Sequence, residues 1–305
     1  CFIHSKTNDF PNIGTYEQKF NLIKLYRDFL VGSSENSLKG LTIVLDGAYG
    51  AAHKIAPEVF RALGATVIAS NCNNYGLKIN KNCGALYPQN LAKKIFRYKA
   101  DMGFCFDGDS DRLIAVNDKG EVIDGDMIIY ALALYYKKIG KLKGDTVVGT
   151  RHTNMAIENA LKENGLNLIR TDIGDKYVLA KLIEKNLSLG GEQSGHIILK
   201  DLATTGDGIL SAIVLANMLV NENKKMSEAL QIELYPQSNK NVIVRDKFRV
   251  MNSEELLKEV ADFNNELEGI GRIMLRASGT EPKIRVMVES KDKDRNEKIA
   301  GKLVE

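Results

Sequence analysis

The chain has 305 residues, 44% hydrophobic and 27% charged, with a net charge of +3. That length suits two or three domains with ample core. So small a positive balance, with no Lys/Arg cluster, points away from nucleic acid as a partner. No apolar run approaches membrane-spanning length and the first residues carry no signal-peptide pattern, so no membrane partner is expected. The cysteines, Cys1, Cys72, Cys83 and Cys105, form no CxxC pair. This usage fits reduced thiols in a cytoplasmic protein better than a disulfide framework. Cys1 stands where an initiator Met would, so the chain reads as beginning inside a longer one.

Residues 1–13 show no period. Residues 15–31 predict a helix with Phe20, Ile23, Leu25, Tyr26, Phe29 and Leu30 on an apolar face, stopping at Gly32. A polar linker follows, then a strand at 41–45 and a helix with Ile55, Ala56, Val59, Phe60 and Leu63 inward. A second strand spans 65–69, and an Asn/Gly-rich loop runs from Asn71 to Tyr87. Pro88 suits the first turn of a helix carrying Leu91, Ile95 and Phe96. Two apolar runs, 102–106 and 113–116, read as strands around a loop. Asp124-Gly125-Asp126 then opens a helix through Tyr136.

The rhythm restarts at Thr146. Residues 140–236 repeat the order strand, helix, strand, helix, strand-loop-strand, helix, which reads as a structural duplication. After Pro236 the pattern changes. A strand at 241–244, a helix from Ser253 with Leu256, Leu257, Val260, Phe263 and Leu267 inward, and strands at 272–275 and 284–288 form a small α+β unit.

One unusual loop falls in each unit. The first is Asp107-Gly108-Asp109-Ser110-Asp111-Arg112. Its carboxylates repel one another, and a cation among them would relieve that; oxygen ligands suit Mg²⁺, Ca²⁺ or Mn²⁺. A solvated acidic turn has the same composition. An EF-hand does not fit, because Arg112 stands where Gly is needed and strands flank the loop. A strand ending in Asp-x-Asp also suits an aspartyl-nucleophile phosphatase, but Gly206-Asp207 lacks a partner Asp four residues on.

The second loop, Gly191-Glu192-Gln193-Ser194-Gly195-His196, offers a compact array of donors and acceptors suited to sugar hydroxyls, or a plain polar hairpin. The third is Arg276-Ala277-Ser278-Gly279-Thr280-Glu281-Pro282-Lys283-Ile284-Arg285. It reads as a phosphate clamp of backbone, hydroxyls and cations, or as a Gly/Pro hairpin with surface charge. Together the three imply a phosphorylated sugar as ligand.

At these loops the chain resembles the α-D-phosphohexomutase superfamily, and within it the bacterial phosphoglucosamine mutases. The resemblance runs from about Gly14 to the C-terminus. It implies an α/β fold of two tandem domains with mixed sheets followed by a small α+β domain. The expected divisions are 1–19 as the remnant of a first domain, 20–139 for metal, 140–236 for sugar and 237–305 for phosphate. It further implies Mg²⁺ held by Asp107, Asp109 and Asp111, with Arg112 beside the transferred phosphoryl group. Glu192, Gln193, Ser194 and His196 would meet the sugar, Gln193 being typical of phosphoglucosamine mutases. Arg276, Ser278, Gly279, Thr280 and Arg285 would hold phosphate.

The implied reaction interconverts glucosamine 6-phosphate and glucosamine 1-phosphate through a phosphoserine and a bisphosphorylated sugar, for peptidoglycan precursors. Phosphomannomutase or phosphoglucomutase chemistry, or a non-catalytic sugar-phosphate-binding role, are the alternatives. The family's Ser-His-Asn-Pro tetrapeptide does not occur in this sequence, so these residues alone are expected to be inactive. Smaller departures are Ser110 for Gly, Ala277 for Pro, Lys283 for an apolar residue and Lys176 for Arg. The stretch Thr150-Arg151-His152-Thr153-Asn154 replaces an apolar-Ser-Asn version.

Overall fold

The computed structural model describes residues 17, 19–278 and 281–304. The expected remnant at 1–19 therefore lies almost wholly outside the described residues.

Helix α1 (Phe20–Gly32) leads to β1 (Thr42–Asp46), α2 (Ala52–Ala62), β2 (Thr66–Ser70), α3 (Gln89–Tyr98), β3 (Met102–Phe106), β4 (Leu113–Asn117) and β5 (Val122–Ile123). These strands form one sheet in the order β2-β1-β3-β4-β5. Strands β2, β1 and β3 run parallel, and β4 turns back antiparallel to β3. Every residue of β3 and β4 is buried. That explains why the two read as continuous apolar runs rather than alternating ones.

The second set is α4 (Gly125–Lys138), β6 (Thr146–Thr150), α5 (Met155–Glu163), β7 (Asn167–Thr171), α6 (Asp175–Glu184), β8 (Leu189–Gly191), β9 (Ile197–Leu199), α7 (Gly208–Glu222) and α8 (Met226–Ala229). Its sheet order is β7-β6-β8-β9, with β9 antiparallel. Substituting β1 for β6, β2 for β7, β3 for β8 and β4 for β9 gives the first sheet's order. The duplication expected from the sequence is thus present in the topology. It puts the acidic loop and the Glu192–His196 loop at equivalent places, each between the last parallel strand and its antiparallel return.

The third set is β10 (Gln237–Ile243), α9 (Lys247–Met251), α10 (Glu254–Glu266), β11 (Gly271–Ala277), β12 (Lys283–Ser290) and α11 (Lys293–Lys302). Its sheet is antiparallel, ordered β10-β12-β11. A separate small core of Leu267, Val286, Val288, Ile299 and Leu303 supports it.

A single apolar cluster joins the first two sheets through α4 and α7. Residues 208–219 of α7 are all buried, as a helix apolar on every side must be. The sequence pattern places the helix opening at Asp124-Gly125-Asp126 at the end of the first unit. In the structure this helix, α4, packs on β8, α5 and α7.

Several expectations about facing need correction. Among the described side chains of α1 only Leu30 is fully buried; Ile23, Leu25 and Phe29 are 57%, 61% and 41% exposed. Periodicity identifies an apolar stripe without saying what covers it. Phe96 and Leu257, expected inward, are likewise exposed. Strand β10 begins earlier than expected, at Gln237. Helix α11 escaped notice because its sequence, KDRNEKIAGK, is strongly polar and buries only Asn296, Ile299 and Ala300.

One carboxyl inside this framework stands out. Asp126, on the first turn of α4, is fully buried and accepts Asn154 N–H at 2.8 Å through Oδ2. Its Oδ1 has no partner. Burial, then Asp124 and Glu289, push it up to about 7 against an ordinary 3.8. The native state therefore holds a proton that the unfolded chain has released, so this residue's contribution to stability falls as pH rises from about 4 to about 7. Asp126→Asn keeps the acceptor and removes the charge. Its melting temperature should exceed wild type by a few degrees at pH 7.5 and converge on it near pH 4, measured by thermal unfolding across that range.

Candidate functional site

The acidic loop leaves the end of β3 and returns on β4. Each of Asp107, Asp109 and Asp111 brings a carboxylate oxygen within 4.8 Å of the others. Burial, then Asp111 and Asp109, push the Asp107 carboxyl up to about 6. Arg112 Nε stands 3.7 Å from Asp107 Oδ2 and 3.7 Å from Asp111 Oδ1, close enough for charge attraction. Neither Arg112 Nε nor the buried Asp111 Oδ1 has a hydrogen bond. Crowded hard oxygens, one of them orphaned, fit a divalent cation of the Mg²⁺ or Ca²⁺ kind.

The loop's backbone is held from several sides. Gly108 O accepts Ala51 N–H at 2.8 Å, and Ser110 O accepts Gly208 N–H at 2.9 Å. Gly50 must be glycine because a Cβ there would meet Gly108 O at 2.1 Å. Leu113 N donates to Gly195 O at 2.9 Å, which splices the acidic loop to the second loop. Gly195 has φ +93, and a Cβ there would lie 2.3 Å from Leu113 O.

The second loop is a tight hairpin closed by Glu192 N–H donating to His196 O and Gly195 N–H to Glu192 O. Glu192 Oε1 accepts Gly174 N–H at 2.9 Å. Ser194 is exposed, with its hydroxyl 3.5 Å from Glu192 Oε2. Gln193 donates from Nε2 to Asp124 Oδ2 at 3.1 Å, so it ties the hairpin to the start of α4. His196 is buried, and both ring nitrogens are engaged. Gly206 N–H donates to Nε2 at 3.1 Å, which leaves the proton on Nδ1 to be donated to Asp111 Oδ2 at 3.1 Å. His196 thus stands behind a member of the acidic triad.

On the third sheet, Arg276 and Arg285 sit directly opposite across β11 and β12. Like charges in that position repel unless an anion lies near them. Ser278 is buried; its Oγ accepts Glu281 N–H at 3.3 Å and its carbonyl accepts Lys247 Nζ at 2.6 Å. Lys283 is paired with Glu281 at 2.6 Å and Arg285 lies 3.9 Å from the same carboxylate, leaving Arg276 without an ion pair among the described residues. Gly279 and Thr280 lie outside the described residues. A cavity of about 380 Å³ lined by Tyr135, Tyr136, Val214 and Asn217 includes none of these loop residues.

The family model for phosphoglucomutase/phosphomannomutase alpha/beta/alpha domain II matches residues 24–120, that for domain III matches 124–235, and that for the C-terminal domain matches 240–305. The chain belongs to the phosphoglucomutase/phosphomannomutase family. It is 45% identical over 296 residues to a phosphoglucosamine mutase of Thermoanaerobacter sp. strain X514, covering 96% of this chain and 66% of the relative. It is 44% identical over 281 residues to a phosphoglucosamine mutase of Clostridioides difficile, covering 91% and 63%. The chain thus spans just under two thirds of the length of these relatives.

Among solved structures, a phosphoglucomutase/phosphomannomutase family protein of Burkholderia thailandensis superposes with a TM-score of 0.78 at 22% identity, covering 94% of this chain and 64% of that one. An Aspergillus fumigatus N-acetylphosphoglucosamine mutase in complex with GlcNAc-6P and magnesium superposes at 0.70 with 19% identity, covering 92% and 69%.

Several polar residues around the family's loops were not singled out from the sequence. Arg272 donates from Nε to the fully buried Glu289 at 3.1 Å, and from its two terminal nitrogens to Arg151 O and Thr153 O. Glu289 also accepts Met155 N–H at 2.8 Å. A lone acid inside the apolar run Val286-Met287-Val288-Glu289 was the available signal. Tyr26 donates to Asp207 at 2.8 Å, and no local pattern marks that pair.

Ser110, where the family's usual residue is Gly, has φ +67. That backbone explains the glycine, and the serine has an offset: its Oγ accepts the N–H of buried Ala52 at 2.9 Å. Ser110→Gly should be close to neutral, because relief of strain balances the lost bond. Ser110→Ala keeps the strain and orphans a buried N–H, so urea unfolding should show a loss of about 1–3 kcal/mol.

Proposed function

We propose that this chain forms the metal-, sugar- and phosphate-binding part of a phosphoglucosamine mutase. The observation that carries this reading is the carboxylate triad, clustered within 4.8 Å and joined by direct bonds to the Glu192–His196 hairpin. The curated relatives' names favour glucosamine over mannose or glucose. The magnesium and GlcNAc-6P in the Aspergillus complex are consistent with the same ligand classes.

In this reading Asp107, Asp109 and Asp111 hold Mg²⁺, which supplies positive charge against the phosphoryl oxygens. Arg112 adds a second positive charge at the same edge. His196 keeps Asp111 aimed at the cation by donating to its Oδ2 while Gly206 holds the imidazole from behind. Glu192 and Ser194 meet the sugar's hydroxyls. Gln193 fixes the hairpin on α4 through Asp124. Arg276 and Arg285, with Ser278, Gly279 and Thr280, hold the phosphate that is not being transferred. Catalysis is then mostly positioning and charge neutralisation. The transferred phosphoryl group resides on a serine supplied from outside these residues, since no Ser-His-Asn-Pro occurs among them. That fact also favours a second reading, in which these residues by themselves bind sugar phosphate without turnover.

The full-length protein, primed with the bisphosphorylated sugar, should convert glucosamine 6-phosphate. Conversion of mannose 6-phosphate in its place would overturn the substrate assignment. The 305 residues alone should show no turnover; measurable mutase activity from them would remove the need for an outside serine. In calorimetric titration the same 305 residues should bind Mg²⁺ weakly. Asp109→Asn should abolish that binding and His196→Ala should weaken it about tenfold, as loss of an outer partner to a ligand does. An unchanged isotherm in Asp109→Asn would place the cation elsewhere.

A further inference from the structure

The turn Gly206-Asp207-Gly208, which enters α7, bears on the acidic loop in two places. Gly206 N–H donates to His196 Nε2 at 3.1 Å, and His196 Nδ1 donates to Asp111 Oδ2 at 3.1 Å. Gly208 N–H donates to Ser110 O at 2.9 Å. The approach is too close for a side chain at either glycine. A Cβ at Gly206 would lie 2.3 Å from His196 Nε2, and one at Gly208 would lie 2.3 Å from Arg112 O. The two glycines therefore lay bare backbone against the site, and the only side chain of the turn is that of Asp207.

Both Asp207 oxygens are engaged in holding the turn. Oδ1 accepts Leu210 N–H at 2.9 Å, which caps α7. Oδ2 accepts the Tyr26 hydroxyl at 2.8 Å. Tyr26 lies on α1, which packs on α2 and α7. The cap ties Asp207 to its own helix alone. The Tyr26 bond ties it to a second helix, from the far end of the chain, and so fixes the turn from outside α7.

We propose that Tyr26 is a positioning residue for the cation site, acting through Asp207 on the turn whose two N–H groups hold His196 and the acidic loop. The inference rests on the Mg²⁺ reading above. The Tyr26–Asp207 bond is at the surface, so its loss should do little to the stability of the fold. Its effect is felt at the site, because hydrogen bonds weaken steeply with misalignment. A turn freed from α1 lets Gly206 N–H drift from His196 Nε2, and the imidazole then holds Asp111 less firmly.

The test compares wild type with Tyr26→Phe, Asp207→Asn and Leu25→Ala in the 305-residue chain. It reads the His196 imidazole by ¹H–¹⁵N correlation without metal, and Mg²⁺ affinity by calorimetry. Wild type should show the tautomer protonated on Nδ1, as the Gly206 bond to Nε2 requires. Tyr26→Phe should shift the Nε2 signal, speed exchange of the Nδ1 proton with water and weaken Mg²⁺ binding about threefold. That is less than the loss of a direct partner to a ligand, because the effect passes through further bonds. Asp207→Asn keeps an acceptor for Leu210 N–H and a polar partner for Tyr26, so tautomer and exchange rate should stay as in wild type. Leu25→Ala, exposed on the same helix, should leave them unchanged too. Equal changes in Leu25→Ala and Tyr26→Phe would assign the effect to a loosened α1 and overturn the role of Tyr26. Wild-type imidazole signals and Mg²⁺ affinity in Tyr26→Phe would also overturn it, while leaving the Mg²⁺ reading intact. Absence of Mg²⁺ binding by wild type would overturn that reading, and this inference with it.

Discussion

Three carboxylates on one loop repel one another, and in this protein they have nowhere to go. Gly50, Ala51 and Ala52 press on the loop from one side, Gly208 from another, and Gly195 and His196 from a third. Each of these is a backbone contact or a hydrogen bond to a buried group, so relaxing the loop would leave several polar atoms unsatisfied. The repulsion is therefore retained in the folded state, where it can be discharged by a cation. The raised Asp107 carboxyl and the orphaned Asp111 oxygen are two signs of the same crowding.

The duplicated sheets make this bracing available. Because β3–β4 and β8–β9 occupy equivalent places in their sheets, their loops meet through Leu113 and Gly195. Helix α7, buried along most of its length, carries Asp207 and Gly208 at its start into the same junction. The third sheet brings a different kind of charge. Arg276 and Arg285 oppose each other across adjacent strands, with Glu281 beside Arg285, so the molecule holds a crowded negative cluster on one sheet and a positive pair on another. A cation at the first and an anion at the second would relieve both.

Much of this was legible in the sequence, and the failures have physical reasons. Buried parallel strands read as unbroken apolar runs, and the Asp-rich, Gly-Glu-Gln-Ser-Gly-His and Ser-Gly-Thr loops stood out between them. The repeat in element order was visible because hydrophobic periodicity survives where residue identity does not. What periodicity could not say is which partner covers an apolar face, hence Ile23, Leu25 and Phe29 lying exposed on α1. Nor could it find long-range polar pairs. Gln193 and His196, expected to meet the sugar, bond Asp124 and Asp111 respectively, each far off in the chain. Ser110 was noted as a departure, but its positive φ and its bond to Ala52 are properties of the fold alone.

The join between the third sheet and residues 150–155 has a further consequence. The bonds across it are polar: Glu289 on Met155 N–H, and Arg272 on the Arg151 and Thr153 carbonyls. Such bonds, each with one charged partner, exchange for water at about 1.5–3 kcal/mol each, whereas parting two apolar faces would carry a penalty that grows with area. A seam of this sort behaves as a latch: it is specific in its closed register, and water can take over its bonds when it opens. The chain has thereby put β10, β11 and β12 on a core of their own, apart from the apolar cluster that joins the first two sheets.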